Sequence, residues 1–156
     1  MKLSERTCCF TGHRVIPDGM SEVLSQWLED TVRTLIGQGY RYFGAGGALG
    51  FDTLAAQTVL RLREEFPHIR LILVLPCRDQ TRGWKQADIA RYELIRGKAD
   101  KVVYTSERYA PGCMYKRNRH LVDFSGVCVA YCTRGTGGTA YTVSYARKRG
   151  CGIIGW

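Results

Sequence analysis

The chain has 156 residues, about one modal domain, so residues 1–156 are read as a single domain able to bury one sizeable core. Its 45% hydrophobic and 24% charged residues sit near globular averages and exclude a disordered or fibrous chain. The formal net charge of +9 favours anionic partners, and no apolar stretch approaches the roughly 20 residues that cross a bilayer, so the reading is cytoplasmic with no membrane partner.

In chain order, Arg6 to Phe10 forms an apolar-rich first strand that stops at Thr11-Gly12, and a turn-rich stretch follows through Pro17-Asp18-Gly19. From Ser21 the apolar positions Val23, Leu24, Trp27, Leu28, Leu35 and Ile36 recur at helical spacing up to Gly39. Tyr40 to Gly44 is a second strand, and after the run Gly44-Ala45-Gly46-Gly47-Ala48-Leu49-Gly50 a second helical face carries Leu54, Ala55, Leu62 and Phe66. Ile69 to Pro76 is nearly all aliphatic, the pattern of a strand covered on both faces, and is expected in the middle of the sheet. A helix from Arg82 to Arg96, stopped by Gly97, leads to a fourth strand, Lys101 to Tyr104. Met114 to Phe124 reads as a helix, Val127 to Tyr131 as a strand, Thr139 to Arg149 as a helix ended by Gly150, and Ile153-Ile154 as a short last strand. Strands alternating with helices at this spacing predict an α/β, Rossmann-like three-layer sandwich with a mostly parallel central sheet.

Seven cysteines are an odd number, and most sit in apolar strand-like runs as small hydrophobes, so no disulfide framework is expected. Cys128 and Cys132, four apart in or beside a strand, would be roughly 13 Å from each other, too far to share a zinc ion, and no metal site is predicted. Nor is any cofactor.

In an open parallel sheet, ligands bind beyond the carboxyl ends of the strands. Three glycine-bearing segments fall there: Thr11-Gly12-His13-Arg14, Gly46-Gly47-Ala48-Leu49-Gly50-Phe51-Asp52, and Gly135-Thr136-Gly137-Gly138-Thr139. Glycines at a helix N-terminus let several backbone N–H groups face one anion, and the Thr139 hydroxyl adds a donor, so the site suits phosphate. Asp52 either caps backbone N–H groups or reaches a ligand hydroxyl. Arg14 is favoured over His13 as a phosphate contact, because a guanidinium can hold the anion bidentately. Trp84, Tyr109 and Tyr115 are further candidates for stacking on a base. Cys113 is a weaker candidate for a reactive thiol at a helix start. The Arg147-Lys148-Arg149 run is read as a solvated helix end whose cations complement the macrodipole.

Phe10-Thr11-Gly12-His13-Arg14, the Gly46 to Asp52 segment, Arg117-Asn118 through Val122-Asp123, Gly138-Thr139 and Tyr145-Ala146 together resemble the YpsA-like branch of the SLOG superfamily, in order across nearly the whole chain. The resemblance implies a Rossmann-like fold and a site for nucleotide-derived ligands. The superfamily also holds LOG-type phosphoribohydrolases and the DNA-processing protein DprA. The LOG-type motifs are Met-x-x-Arg-Lys and Pro-Gly-Gly-x-Gly-Thr-x-x-Glu. Met114-x-x-Arg117-Asn118 is similar to the first, so Arg117 is implied as a ligand-contacting cation. The glutamate of the second falls on Thr142, which supplies no carboxylate, so LOG-type catalysis is not expected.

Three functions follow. The first is binding or sensing of a nucleotide or ADP-ribose-like ligand through Gly12, His13, Arg14, Gly46, Gly47, Gly50, Asp52, Arg117, Asn118, Gly137, Gly138 and Thr139. The second is hydrolysis of an N-glycosidic or phosphate-ester bond of a nucleoside phosphate, with Asp52 or Asp123 as the carboxylate. The third is DNA or RNA binding, suggested by the charge and the kinship with DprA. Self-association into a homo-oligomer is compatible with each.

Overall fold

The computed structural model describes residues 2–156. A 3₁₀ turn, Leu3–Arg6, leads into β1 (Thr7–Gly12), α1 (Ser21–Gly37), β2 (Tyr42–Ala45), α2 (Phe51–Glu65), β3 (Arg70–Leu75), α3 (Gln86–Lys98), β4 (Lys101–Tyr104), α4 (Cys113–Asp123), β5 (Val127–Tyr131), α5 (Gly138–Lys148) and β6 (Gly152–Gly155). The six strands form one sheet in the order β4-β3-β2-β1-β5-β6, with every neighbouring pair parallel. The chain winds outward from β1 to β4, then crosses back through α4 to lay β5 on the other side of β1. Consistently handed crossovers therefore put α1, α2 and α3 on one face and α4 and α5 on the other.

Side-chain alternation along the strands feeds both faces. On β1, Cys8 and Phe10 join Phe43, Leu71, Leu73, Val129 and the apolar stripe Leu24, Leu28 and Val32 of α1. On the opposite face Cys9, Val74 and Cys128 meet Leu121 and Val122 of α4 and Ala146 of α5. The fold is the α/β Rossmann-like architecture predicted.

Several boundaries move, each for a tertiary reason. β1 runs two residues past Phe10 because Thr11 and Gly12 pair with Ala130 and Tyr131 of β5. β3 is not the middle of the sheet: it lies second from the edge, between β2 and β4, and Ile72 is only half-buried. Its aliphatic run reports one fully covered face and one partly covered face. α3 begins at Gln86, leaving Trp84 ahead of it, and continues through Gly97 to Lys98. What ends it is the turn at Ala99 into Asp100, whose carboxylate accepts the Leu71 N–H at 2.8 Å and the Arg63 guanidinium at 2.7 Å.

Candidate functional site

The strand order reverses between β1 and β5, and loops leaving two adjacent strands in opposite directions open a crevice at their carboxyl ends. A cleft of about 240 Å³ lies there, lined by Gly12, His13, Arg14, Asp52, Arg117, Asn118, Gly138 and Thr139 of the predicted set. Asp52 is the second residue of α2, and Gly138 and Thr139 are the first two of α5. Helix N-termini from the two faces of the sheet therefore meet at one opening, each presenting N–H groups without intrahelical partners.

At its floor, three elements converge on the turn after β2. Arg117, on the inward face of α4, is 4% exposed and donates through Nη1 to the Gly46 carbonyl, while its Nε donates to Asn118 Oδ1 at 2.7 Å. The third nitrogen, Nη2, has only the Met114 sulfur at 4.0 Å. A guanidinium carries five N–H groups, so hydrogens remain for an acceptor in the cleft. Asp52, 6% exposed, accepts the Ala48 N–H at 3.2 Å, so its carboxylate ties down the turn that precedes its own helix. A Cβ on Gly46 would stand 2.5 Å from Arg117 Nη1 and 2.8 Å from Asp52 Oδ2, so only glycine lets these two side chains close over the backbone.

The electrostatics follow from this burial. Desolvation raises the Asp52 carboxyl from its ordinary value, against the pull of Arg117, the Ala48 N–H and Arg14. Desolvation also lowers the Arg117 guanidinium, with Asp52 opposing the shift, and the group stays a cation. Arg14 and Arg134 complete the rim, giving three guanidinium groups against one carboxylate in the lining.

The loop after β1 is held by Gly50, whose φ of 75° is open only to glycine and whose added Cβ would meet the Arg14 carbonyl oxygen at 2.2 Å. Phe51 donates its N–H to the His13 carbonyl at 3.1 Å, joining the same loop to the start of α2. The His13 ring, 6% exposed, accepts the Thr133 N–H at Nε2 over 2.9 Å and lies edge-on to Tyr131. It fastens the loop of Arg134 to the end of β1, and that acceptor role requires the neutral ring. Burial, and after it Arg134, lower the pKa of His13 below its ordinary value.

Of the remaining predicted residues some lie around the cleft and others do not. Gly46, Gly47 and Gly50 form the turn beneath it, and Gly137 caps α5 with a φ of 96°. Trp84 packs edge-on against Tyr92, away from the lining. Cys113 is the first residue of α4 and is buried, not presented to solvent. Asp123 sits at the far end of α4, where it accepts the Tyr145 hydroxyl at 2.8 Å and pairs with Arg149 at 3.3 Å, so it cannot serve as the cleft's carboxylate. Thr142 is 2% exposed, with its hydroxyl turned back to the Gly138 carbonyl at 2.8 Å.

Sequence reasoning did not select Thr11, Val15, Ala48, Met114 or Arg134 as site residues. Arg134 shared with Arg14 the signal of a cation just past a strand end, and it also precedes a glycine run. Among the described residues no group of three or more His, Cys, Asp and Glu side chains is placed to hold a metal ion, and no helix is long and apolar enough to cross a membrane.

A family model described as the YspA SLOG family (YpsA) matches residues 16–150. UPF0398 protein BH1768 of Halalkalibacterium halodurans is 32% identical over 124 residues, covering 78% of this chain and 66% of that protein. The uncharacterized SPbeta prophage-derived protein YoqJ of Bacillus subtilis is 30% identical over 129 residues, 75% of each chain. Among solved structures, DNA processing protein A from Helicobacter pylori, studied for its single-stranded DNA binding mode, superposes with a TM-score of 0.69 at 18% identity over 97% of this chain and 65% of that one. The chain therefore spans slightly less than two thirds of BH1768 and of the DprA chain, and the likeness to the latter shows the fold. The match across residues 16–150, with the kinship to BH1768 and YoqJ, means that the chain belongs to the YpsA SLOG family.

Proposed function

We propose that the cleft between β1 and β5 binds the phosphate of a nucleotide-derived ligand, and that the protein acts by binding or sensing that ligand. The observation that carries this reading is the buried Arg117, which keeps unspent N–H groups in a cleft where the N-termini of α2 and α5 converge. An anion there meets a fixed cation, the two exposed guanidinium groups of Arg14 and Arg134, and helix-end N–H groups. Asp52 is the one carboxylate of the lining and is held by Ala48. With Thr142 in place of the LOG-type glutamate, binding without LOG-type catalysis is the simpler reading.

The test is a thermal-shift panel of phosphate, AMP, ADP-ribose and NAD on the native protein and on Arg134→Ala, which alters the rim without touching the buried floor. A ligand at about 100 times its Kd stabilises by about 2.7 kcal/mol. For a chain of this length that is a rise of roughly 5–11 °C in Tm, and Arg134→Ala should reduce it. No shift with any compound would overturn the reading.

A second reading, binding of single-stranded nucleic acid, is favoured by the net charge of +9 and by what the H. pylori DNA processing protein A binds. It predicts affinity for an oligonucleotide that falls steeply with salt as counterions are released.

A further inference from the structure

Helix α4 lines two openings. Met114, Arg117 and Asn118 face the cleft, whereas Tyr115, Lys116 and Arg119, on the same turns, line a groove of about 640 Å³ with Tyr141 of α5. Tyr115 stands edge-on to Tyr141 with 4.6 Å between ring centroids, and Arg119 Nη1 donates to the Tyr141 hydroxyl at 3.1 Å. The Tyr115 ring is thus braced from one side yet 42% exposed. Lys116 is exposed, and among the described residues no carboxylate lines the groove.

The opposite wall is built as well. The loop from Thr105 to Gly112 is tied to the loop after β3 by the Tyr109 N–H on Asp79 Oδ1 at 3.0 Å and by the Arg78 N–H on the Glu107 carbonyl at 3.1 Å. A braced ring with cations beside it is the arrangement that takes a nucleobase on its face and a phosphate at its edge.

We propose that this groove is a base-stacking subsite for the second nucleoside of a ligand whose phosphate lies in the cleft, with the base on Tyr115 and the linking phosphate beside Lys116 and Arg119. The proposal rests on the reading of the cleft given above. The two openings are separated by one helix, about 10 Å across, a span suited to a nucleoside joined through a pyrophosphate or phosphodiester link. Both a dinucleotide and a single-stranded oligonucleotide have that chemistry.

Calorimetric titration distinguishes them with three probes: AMP, NAD, and a 5′-phosphorylated oligothymidylate of about six nucleotides. Tyr115→Ala should weaken NAD, the oligonucleotide or both by roughly five- to tenfold, leave AMP within about twofold, and be rescued by Tyr115→Phe, which keeps the ring. A loss confined to NAD identifies a dinucleotide subsite, and a loss confined to the oligonucleotide identifies a nucleic-acid path. If Tyr115→Ala leaves both long probes unchanged while Arg134→Ala weakens all three, the subsite is overturned and the cleft reading stands. If Tyr115→Ala weakens the oligonucleotide while AMP does not bind the native protein, the cleft reading fails and the groove is retained as an independent nucleic-acid surface. Absence of binding by every probe overturns both.

Discussion

Replacing Arg117 by Met tests the floor of the cleft through stability alone. Arg117 and Asp52 are 4% and 6% exposed and both close over Gly46. Met fills most of the volume but removes the charge-assisted bond to the Gly46 carbonyl, which then has only the Gln80 amide at 3.4 Å. A hydrogen bond from a charged group contributes about 1.5–3 kcal/mol. Arg117 and Asp52 form no direct ion pair, so losing the guanidinium acts on Asp52 through space, by removing the attraction that opposes its desolvation, and Asp52 can offset this by taking up a proton. We therefore expect Arg117→Met to cost about 1.5–3 kcal/mol near neutral pH, a fall in Tm of roughly 3–12 °C. The sign of the pH dependence follows from the carboxyl. Burial already raises Asp52, and losing Arg117 removes the strongest force opposing that rise. A carboxyl whose folded pKa lies above its unfolded value makes the folded state the better proton binder. Its contribution is fully present below the unfolded value, about 3.9, and is lost as pH rises through the folded value. Urea unfolding followed by circular dichroism should thus show Arg117→Met losing stability as pH rises from about 4 to 8. The double variant Arg117→Met with Asp52→Asn should lose less, recovering about 1–3 kcal/mol at the upper end. Equal stabilities of the two variants across that range would refute the through-space coupling of Asp52 to Arg117.

His13 gives the opposite slope. Its folded pKa is depressed, so its contribution is present above the ordinary value of about 6.5 and is lost as pH falls through that value towards the folded one. The protection factor of the Thr133 amide, with the slower intrinsic exchange at low pH divided out, should fall as pH drops through the folded value and Nε2 ceases to accept, and an amide equally protected at low pH would contradict the contact. Gly50→Ala should cost about 2 kcal/mol or more, since the alanine is strained at a φ of 75° and its Cβ would lie 2.2 Å from the Arg14 carbonyl oxygen. Gly97→Ala, inside α3 with nothing within 4 Å of the added Cβ, should instead stabilise by about 0.5–1 kcal/mol in the same denaturation assay.

The sequence carries what depends on local pattern. Leu24, Leu28, Leu35 and Ile36 announce the buried stripe of α1, and the glycine runs at 46–50 and 135–138 announce strand-to-helix turns, because a backbone that must adopt positive φ or admit a side chain closely has few residues to choose from. What depends on the return of the chain is not legible. The run Ile69–Leu75 is as aliphatic as a central strand, yet β3 is displaced towards the edge because β5 and β6 are added beyond β1 after the chain reverses. The contact from Thr133 to His13 spans 120 positions, and a cation such as Arg134 looks like any loop arginine until that contact brings its loop to β1.

The same distinction separates the parts of the cleft that are bound to the fold from those that are not. Arg117 and Asp52 come from α4 and α2 and both pack against Gly46, one holding the Gly46 carbonyl and the other the Ala48 N–H, so changing either leaves a backbone group of that turn unsatisfied. Arg14 and Arg134 are exposed on loops whose backbones are already secured by Gly50 and His13, so their side chains can change at little cost to the fold. Ligand choice should therefore track the rim, while anion binding itself should track the floor. A rim exchange such as Arg134→Glu should then change which phosphate compounds shift the Tm while leaving urea stability within about 0.5 kcal/mol. If that single surface change unfolded the protein as Arg117→Met is expected to do, the division between floor and rim would be wrong.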